Sequence, residues 1–163
     1  MLKKEQLARI YAYNQKRNLT EYSEEKELGF KIEEIDEWYK AKTPEDKVDA
    51  LCDLIVFSGG VMFKNAYELI DHEPYSFVAN MVRIVDHIKS ERTVIKMALR
   101  MIEELGYNST LCMDEVLKHI ESREGEFNKE TGKFEKYKTP EYMEKWYEQD
   151  FASCLHVREG IIS

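Results

Sequence analysis

The stretch IEEIDEWYKAKTPEDKVDALCDLIVF, residues 32–57, sets Glu33, Glu34, Glu37, Asp46, Asp49 and Asp53 among strongly apolar residues. At 100° per residue, Glu34 and Glu37 fall one turn apart on a helix and nearly opposite Leu28, Ile32, Ile35 and Tyr39. Phe30 and Ala41 share the side of the two acids, so that side is not a plain solvated face. On the next helix Asp46, Asp49 and Asp53 fall within about 60° of one another, and Val56, Phe57 and Gly60 continue their face. Asp is a poor helix former, and like charges four apart destabilise a helix by a few tenths of a kcal/mol. Asp46 is accounted for as a first-turn residue, but Asp53, bracketed by Cys52, Leu54, Ile55 and Val56, is not. An isolated EExxE is most often a solvated helix face. Carboxylates from two helices that face each other are instead resolved by a hard divalent cation with oxygen ligands; magnesium, which keeps waters and favours carboxylates together with phosphates, suits such a site.

The elements that must position these acids follow from periodicity and caps. Residues 3–16 read as a first helix, with Leu7, Ile10, Tyr11 and Asn14 at helical spacing, and RNLTEYS breaks it. A second helix runs from about Ser23 to Ala41, with Leu28, Ile32, Ile35 and Tyr39 as its core stripe. KTPED starts a third: Thr43 caps, Pro44 takes the first helical position, and Glu45 and Asp46 lie at the positive end of the dipole. It continues through Tyr67, with Gly59 and Gly60 permitting close packing or a kink. The short connection makes the second and third helices antiparallel neighbours. DHEP is a break, and residues 75–89 and 91–105 read as two further helices, the latter closed at Gly106. A helix over 109–122 precedes GEFNKETGKFEKYK, which reads as a small hairpin or extended loop around Thr131 and Gly132. TPEYMEKWYEQD repeats the Thr-Pro-Glu start and predicts a short last helix. The expected architecture is a single all-α domain over 1–163, a bundle of about five to seven helices. Its core covers about 3–122, and an irregular or hairpin C-terminal arm covers about 123–163.

Composition narrows the functions. With 43% apolar residues in 163, the chain has material for one core, and 34% charged residues with only 7 Gly and 3 Pro favour helices. A net charge of −8 argues against polymeric nucleic acid as a partner, though not against a nucleotide whose charge a metal offsets. Cys52, Cys112 and Cys154 form no CxxC pair or even framework, and the longest apolar run, LIVFSGGVMF, is too short to cross a bilayer. A cytoplasmic protein without membrane partners is expected. The four histidines, His72, His87, His119 and His156, show no metal-ligand spacing and read as surface or loop residues.

EEIDE, Glu33 to Glu37, followed by DKVDALCDLIVFSGG, resembles the all-α nucleoside triphosphate pyrophosphohydrolases, the superfamily of MazG, the dimeric dUTPases and phosphoribosyl-ATP pyrophosphohydrolase. The second stretch resembles the ExxDALADLxYVxxGTA helix of the MazG-like branch; the likeness covers about residues 24–67. MDEVLKHIESREGEFNKETGKFEK more faintly resembles that branch's FDEVHRSNMSK…DGKVLK tail, with Arg123 at a lysine and Lys133 at the lysine of Gly-Lys. Two positions depart from the pattern. Ala50 stands where the second acidic pair has Glu, which leaves Asp46/Asp49 and Asp49/Asp53 both open as that pair, and Ile120 replaces an Asn. The resemblance implies magnesium-dependent hydrolysis of a nucleoside triphosphate to monophosphate and pyrophosphate, with manganese as an alternative ion and a homodimer or homotetramer as the assembly. It implies Glu34, Glu37, Asp49 and Asp53 as metal ligands, and Glu33 or Asp46 as outer ligand or water-orienting base. Lys31, Arg123 and Lys133 are its candidate phosphate contacts, and Trp38 (or Phe57) its candidate for stacking on a base. The alternative of another class is a non-catalytic helical module that binds nucleotide or protein on the same fold.

Overall fold

The computed structural model describes residues 2–17, 24–64, 79–131 and 133–156. The continuation of the third helix to Tyr67, the DHEP break, residues 75–78 and Gly132 lie outside the described residues. Helices α1 (Lys4–Lys16), α2 (Glu24–Lys40), α3 (Pro44–Lys64), α4 (Met81–Asp86), α5 (Glu91–Glu104) and α6 (Ser109–Ser122) form an all-α bundle. An arm follows, made of a hairpin, β1 (Gly125–Asn128) and β2 (Lys133–Lys136), the short α7 (Pro140–Met143) and a 3-10 turn (Ala152–Cys154). No described helix is long and apolar enough to cross a membrane.

The most apolar helix, α3, is central and packs on α1, α2, α5 and α6. Val48, Leu51, Cys52, Leu54, Ile55 and Val56 bury their side chains, and Ile95, Ile102, Met113 and Leu117 meet them from α5 and α6. Thr43 caps α3 as expected: its Oγ1 accepts from Asp46 N at 3.0 Å, while Asp46 Oδ2 accepts from Thr43 N at 3.1 Å. This reciprocal pair satisfies donors that the first turn leaves open. At the other end, Gly59 and Gly60 seat α1. A Cβ on Gly60 would lie 1.9 Å from Asn14 Nδ2, and one on Gly59 would meet Leu7 and Ile10 at 3.3 Å. The two glycines therefore permit close packing, and the helix runs through them.

The expected stripe of α2 is corrected. Ile35 is buried, but Ile32 is 53% and Tyr39 60% exposed. The inward line is Lys31, Glu34, Ile35 and Trp38, with Lys31 and Glu34 buried and Trp38 packed against the core. A charged residue can face inward there because Lys31 pairs with Glu91 of α5 and donates to the Ile88 carbonyl at 3.1 Å. That long-range pair rotates α2 away from its apolar periodicity.

α5 ends at Gly106, whose φ of +93° suits glycine, and Asn108 caps α6 by accepting from Thr110 N and Leu111 N. In the hairpin, Gly125 opposes Lys136 and Asn128 opposes Lys133. A Cβ at Gly125 would meet the Glu135 carbonyl at 2.3 Å and the Phe134 ring at 2.8 Å, so glycine there lets the ring cross the strand. The last helix is short, as expected: after Met143 the backbone turns to α6, where Tyr147 N and O bond to Ser122 and His119 instead of continuing a helix.

Candidate functional site

A cavity of about 240 Å³ opens where α1, α2, α3, the end of α6 and the hairpin meet. Its acidic side holds Glu33 and Glu34 from α2 and Asp53 from α3. Opposite stand Arg17, Arg123, Lys133 and Lys136, with Tyr13, Phe30, Phe57 and Phe134 as apolar walls. The Phe30 and Phe57 rings stack at 5.0 Å and join α2 to α3 beside the acids.

Glu34 is only 8% exposed, and its Oε2 is buried without a hydrogen-bond partner. Burial first, then the charges of Asp53, Glu37, Asp49 and Glu33, push its carboxyl up to about 9. Burial and Asp49 push Asp53 up to about 7, against the pull of Arg123 and Lys136. Asp49 is raised by burial and drawn back by a hydrogen bond from Gln149 and by His119 and Arg123. Burial and the neighbouring acids therefore favour the protonated form of Glu34.

On the basic side Lys133 pairs with Glu33, and the other cations crowd one another. Burial, together with Arg123 and Arg17, lowers Lys136 to about 8. The Nε atoms of Arg17 and Arg123 are buried without partners. Arg17 lies over the rings of Tyr13 and Phe134 at 5.1 and 5.4 Å, and Arg123 over Trp146 at 5.5 Å. These aromatic faces hold the guanidinium groups in place without neutralising them. An anion entering the cavity would meet oriented cationic donors.

Several residues singled out from the sequence take other positions. Asp46 is an exposed cap residue, its carboxyl held below the ordinary value by hydrogen bonds from Thr43, and it does not line the cavity. Lys31 is also absent from the cavity, because Glu91 and Ile88 hold its ammonium. Trp38 packs against the core with Lys47 Nζ 4.9 Å from its ring, and no base can stack on it within this cavity. Phe57 does line the cavity, as do Arg123 and Lys133, the latter 3.7 Å from Glu33. Glu37 is exposed at the edge, near enough to raise Glu34 and Asp53. Of the three acids of α3, Asp53 lines the cavity beside Glu34; Asp49 lies off it, near enough to raise both carboxyls.

Arg17, Lys136, Tyr13, Phe134 and Gln149 were not picked out by motif. Strand alternation in KFEK places Phe134 and Lys136 on one face, and Tyr13 and Arg17 are four apart on α1, so two local signals existed. Gln149 had none.

Among the described residues, no three Asp, Glu, His or Cys side chains are gathered closely enough to hold a metal ion as they stand. The donor chemistry nevertheless fits a hard cation: the carboxylates are oxygen donors, one buried oxygen lacks a partner, and magnesium needs few direct protein ligands because it retains waters. No family model, curated protein or solved structure matches this chain.

A carboxyl whose folded pKa exceeds its unfolded value takes up a proton on folding, so its contribution to stability falls as pH rises between those two values. For Glu34 this window runs from about 4.5 to about 9. Without divalent cations, Glu34→Gln should match the wild type near the bottom of the window and exceed it increasingly above. The gain near pH 7 should be about 3 kcal/mol by urea unfolding. A difference that does not vary with pH would show that Glu34 is not a proton-holding group.

Proposed function

We propose that the chain is a magnesium-dependent nucleotide pyrophosphohydrolase of the MazG-like kind, converting a nucleoside triphosphate and water to the monophosphate and pyrophosphate. One observation carries this reading: a single cavity sets the buried carboxyl of Glu34 and the half-buried carboxyl of Asp53 against Arg17, Arg123, Lys133 and Lys136. A purely cationic pocket would suit any anion, and a purely acidic one any cation. The two together suit a metal-bound polyphosphate.

Glu34, Asp49 and Asp53, with Glu37 at the edge, would hold magnesium, or manganese in its place. Glu34 would give up its proton to hold the ion, whose charge would offset the repulsion among these carboxylates. Bound there, magnesium neutralises phosphate charge and acidifies water near phosphorus. Arg17, Arg123, Lys133 and Lys136 orient the phosphate chain by charge-assisted hydrogen bonds, the guanidinium groups in bidentate fashion. Glu33, at the mouth, orients the attacking water. The new bond joins water oxygen to the α-phosphorus; the bond from that phosphorus to the α–β bridging oxygen breaks, and pyrophosphate leaves with that oxygen. Tyr13, Phe30, Phe57 and Phe134 supply an apolar wall for the nucleoside.

A second reading is favoured by the lack of three converged ligands among the described residues. On it, the chain is a binding module that takes up a nucleotide without turnover. Pyrophosphate release from a nucleotide panel, with and without magnesium, separates the two. The enzyme reading expects magnesium-dependent release that Asp53→Asn lowers at least about 100-fold, the scale of a lost metal-supporting or charge-stabilising group. Nucleotide-dependent thermal stabilisation with no release from any member would leave only the module.

The outward apolar line containing Ile32 and Tyr39 on α2 supports self-association into the homodimer or homotetramer. Sedimentation should give a multiple of the single-chain mass, and Ile32→Glu should shift it toward monomer. A monomeric wild type at micromolar concentration contradicts this part of the reading.

A further inference from the structure

The arm beyond the hairpin is fastened along one side of α6 before it reaches the acids. Glu115 Oε2 accepts from Tyr147 Oη at 2.6 Å and from Asp150 N at 3.0 Å. His119 Nδ1 donates to the Tyr147 carbonyl at 2.5 Å, and Ser122 Oγ accepts from Tyr147 N at 2.8 Å. Spacings of four and three put these three side chains on one helix face. Phe151 buries its ring just beyond. Within this anchored segment, Gln149 reaches back across the fold and donates from Nε2 to Asp49 Oδ1 at 2.7 Å. An ionised carboxylate only accepts, so the amide nitrogen, not its oxygen, must face it.

We propose that Gln149 is a positioning residue of the cation site: its amide fixes one oxygen of Asp49 and leaves the other for the ion. This rests on the cation-binding reading of Glu34, Asp49 and Asp53. A lysine or arginine in its place would orient Asp49 but also cancel the charge the ion needs. A neutral amide orients it and preserves the charge. Partners of this kind, one bond removed from a metal, are worth about 10–100-fold in metal affinity. The arm is thereby part of the site, held to α6 by backbone bonds to Glu115, His119 and Ser122 that do not depend on the Tyr147 hydroxyl.

The test is manganese binding to the full chain, with free Mn²⁺ read by electron paramagnetic resonance and melting temperature measured without cation. Gln149→Leu has similar size and no donor; Gln149→Asn keeps the amide but is one methylene too short. Tyr147→Phe loosens the anchor at Glu115 and leaves the amide. Both Gln149 variants should weaken Mn²⁺ binding about 10-fold and leave the cation-free melting temperature near that of the wild type. Tyr147→Phe should lower melting and change Mn²⁺ affinity much less. Wild-type affinity in both Gln149 variants overturns the inference and spares the function; an equal loss in Tyr147→Phe overturns it by assigning the effect to arm docking. A wild type that binds no Mn²⁺ overturns the functional reading and this inference with it.

Discussion

The carboxyls of Glu34 and Asp53 are enclosed in a helical bundle whose nearest acidic neighbours, Asp49, Glu37 and Glu33, raise their proton affinity further. Burying one ionised carboxylate without a partner is costly, and burying two close together is costlier. The fold meets this cost by favouring the protonated form of Glu34, and by placing Arg123 and Lys136 where they draw Asp53 back toward ionisation. Much of the surrounding structure follows from that constraint. The hairpin returns to the bundle with Lys136 turned inward, Arg17 at the end of α1 lies over two aromatic rings, and Gly125 lets one of them, Phe134, lie across its strand.

Rigidity around the site comes from elements that take no part in its chemistry. α3 has an apolar core face, a reciprocal Thr43–Asp46 cap and two glycines against α1, so Asp49 and Asp53 project from a fixed rod. α2 is held at a set rotation by the buried Lys31–Glu91 pair, which aims Glu34 at Asp53. A buried ion pair of this kind adds little net stability, but breaking it would leave one charge stranded. Its rotation of α2 leaves Ile32 and Tyr39 outside.

What was legible in the sequence depended on how local each cause was. Thr43, Pro44 and Asp46 announce the start of α3, Gly106 the end of α5, and alternating aromatic and charged residues the hairpin. The acid set was legible because Asp53 contradicts its apolar surroundings. The rotation of α2 was not, since Ile32 and Tyr39 satisfy helical periodicity and the partner that turns them outward, Glu91, is distant in sequence. Lys31 and Trp38 were misplaced for the same reason: near the acids along the chain, they point into the core and not into the cavity. Asp46 sits in the acidic series by spacing, yet its helix start claims it. Gln149 belongs to an irregular arm whose path is set by bonds to α6, so no periodicity could relate it to Asp49.

On the proposed function, a cation replaces a proton in this cavity. Calorimetric titration of Mg²⁺ or Mn²⁺ into the protein at pH 7, repeated in buffers of different ionisation enthalpy, counts the protons released per ion bound. With Glu34 holding its proton up to about 9 and Asp53 titrating at about 7, release of at least about one proton per ion is expected, falling as pH rises past the upper value. Binding with no proton release at pH 7, or no binding at all, would contradict it.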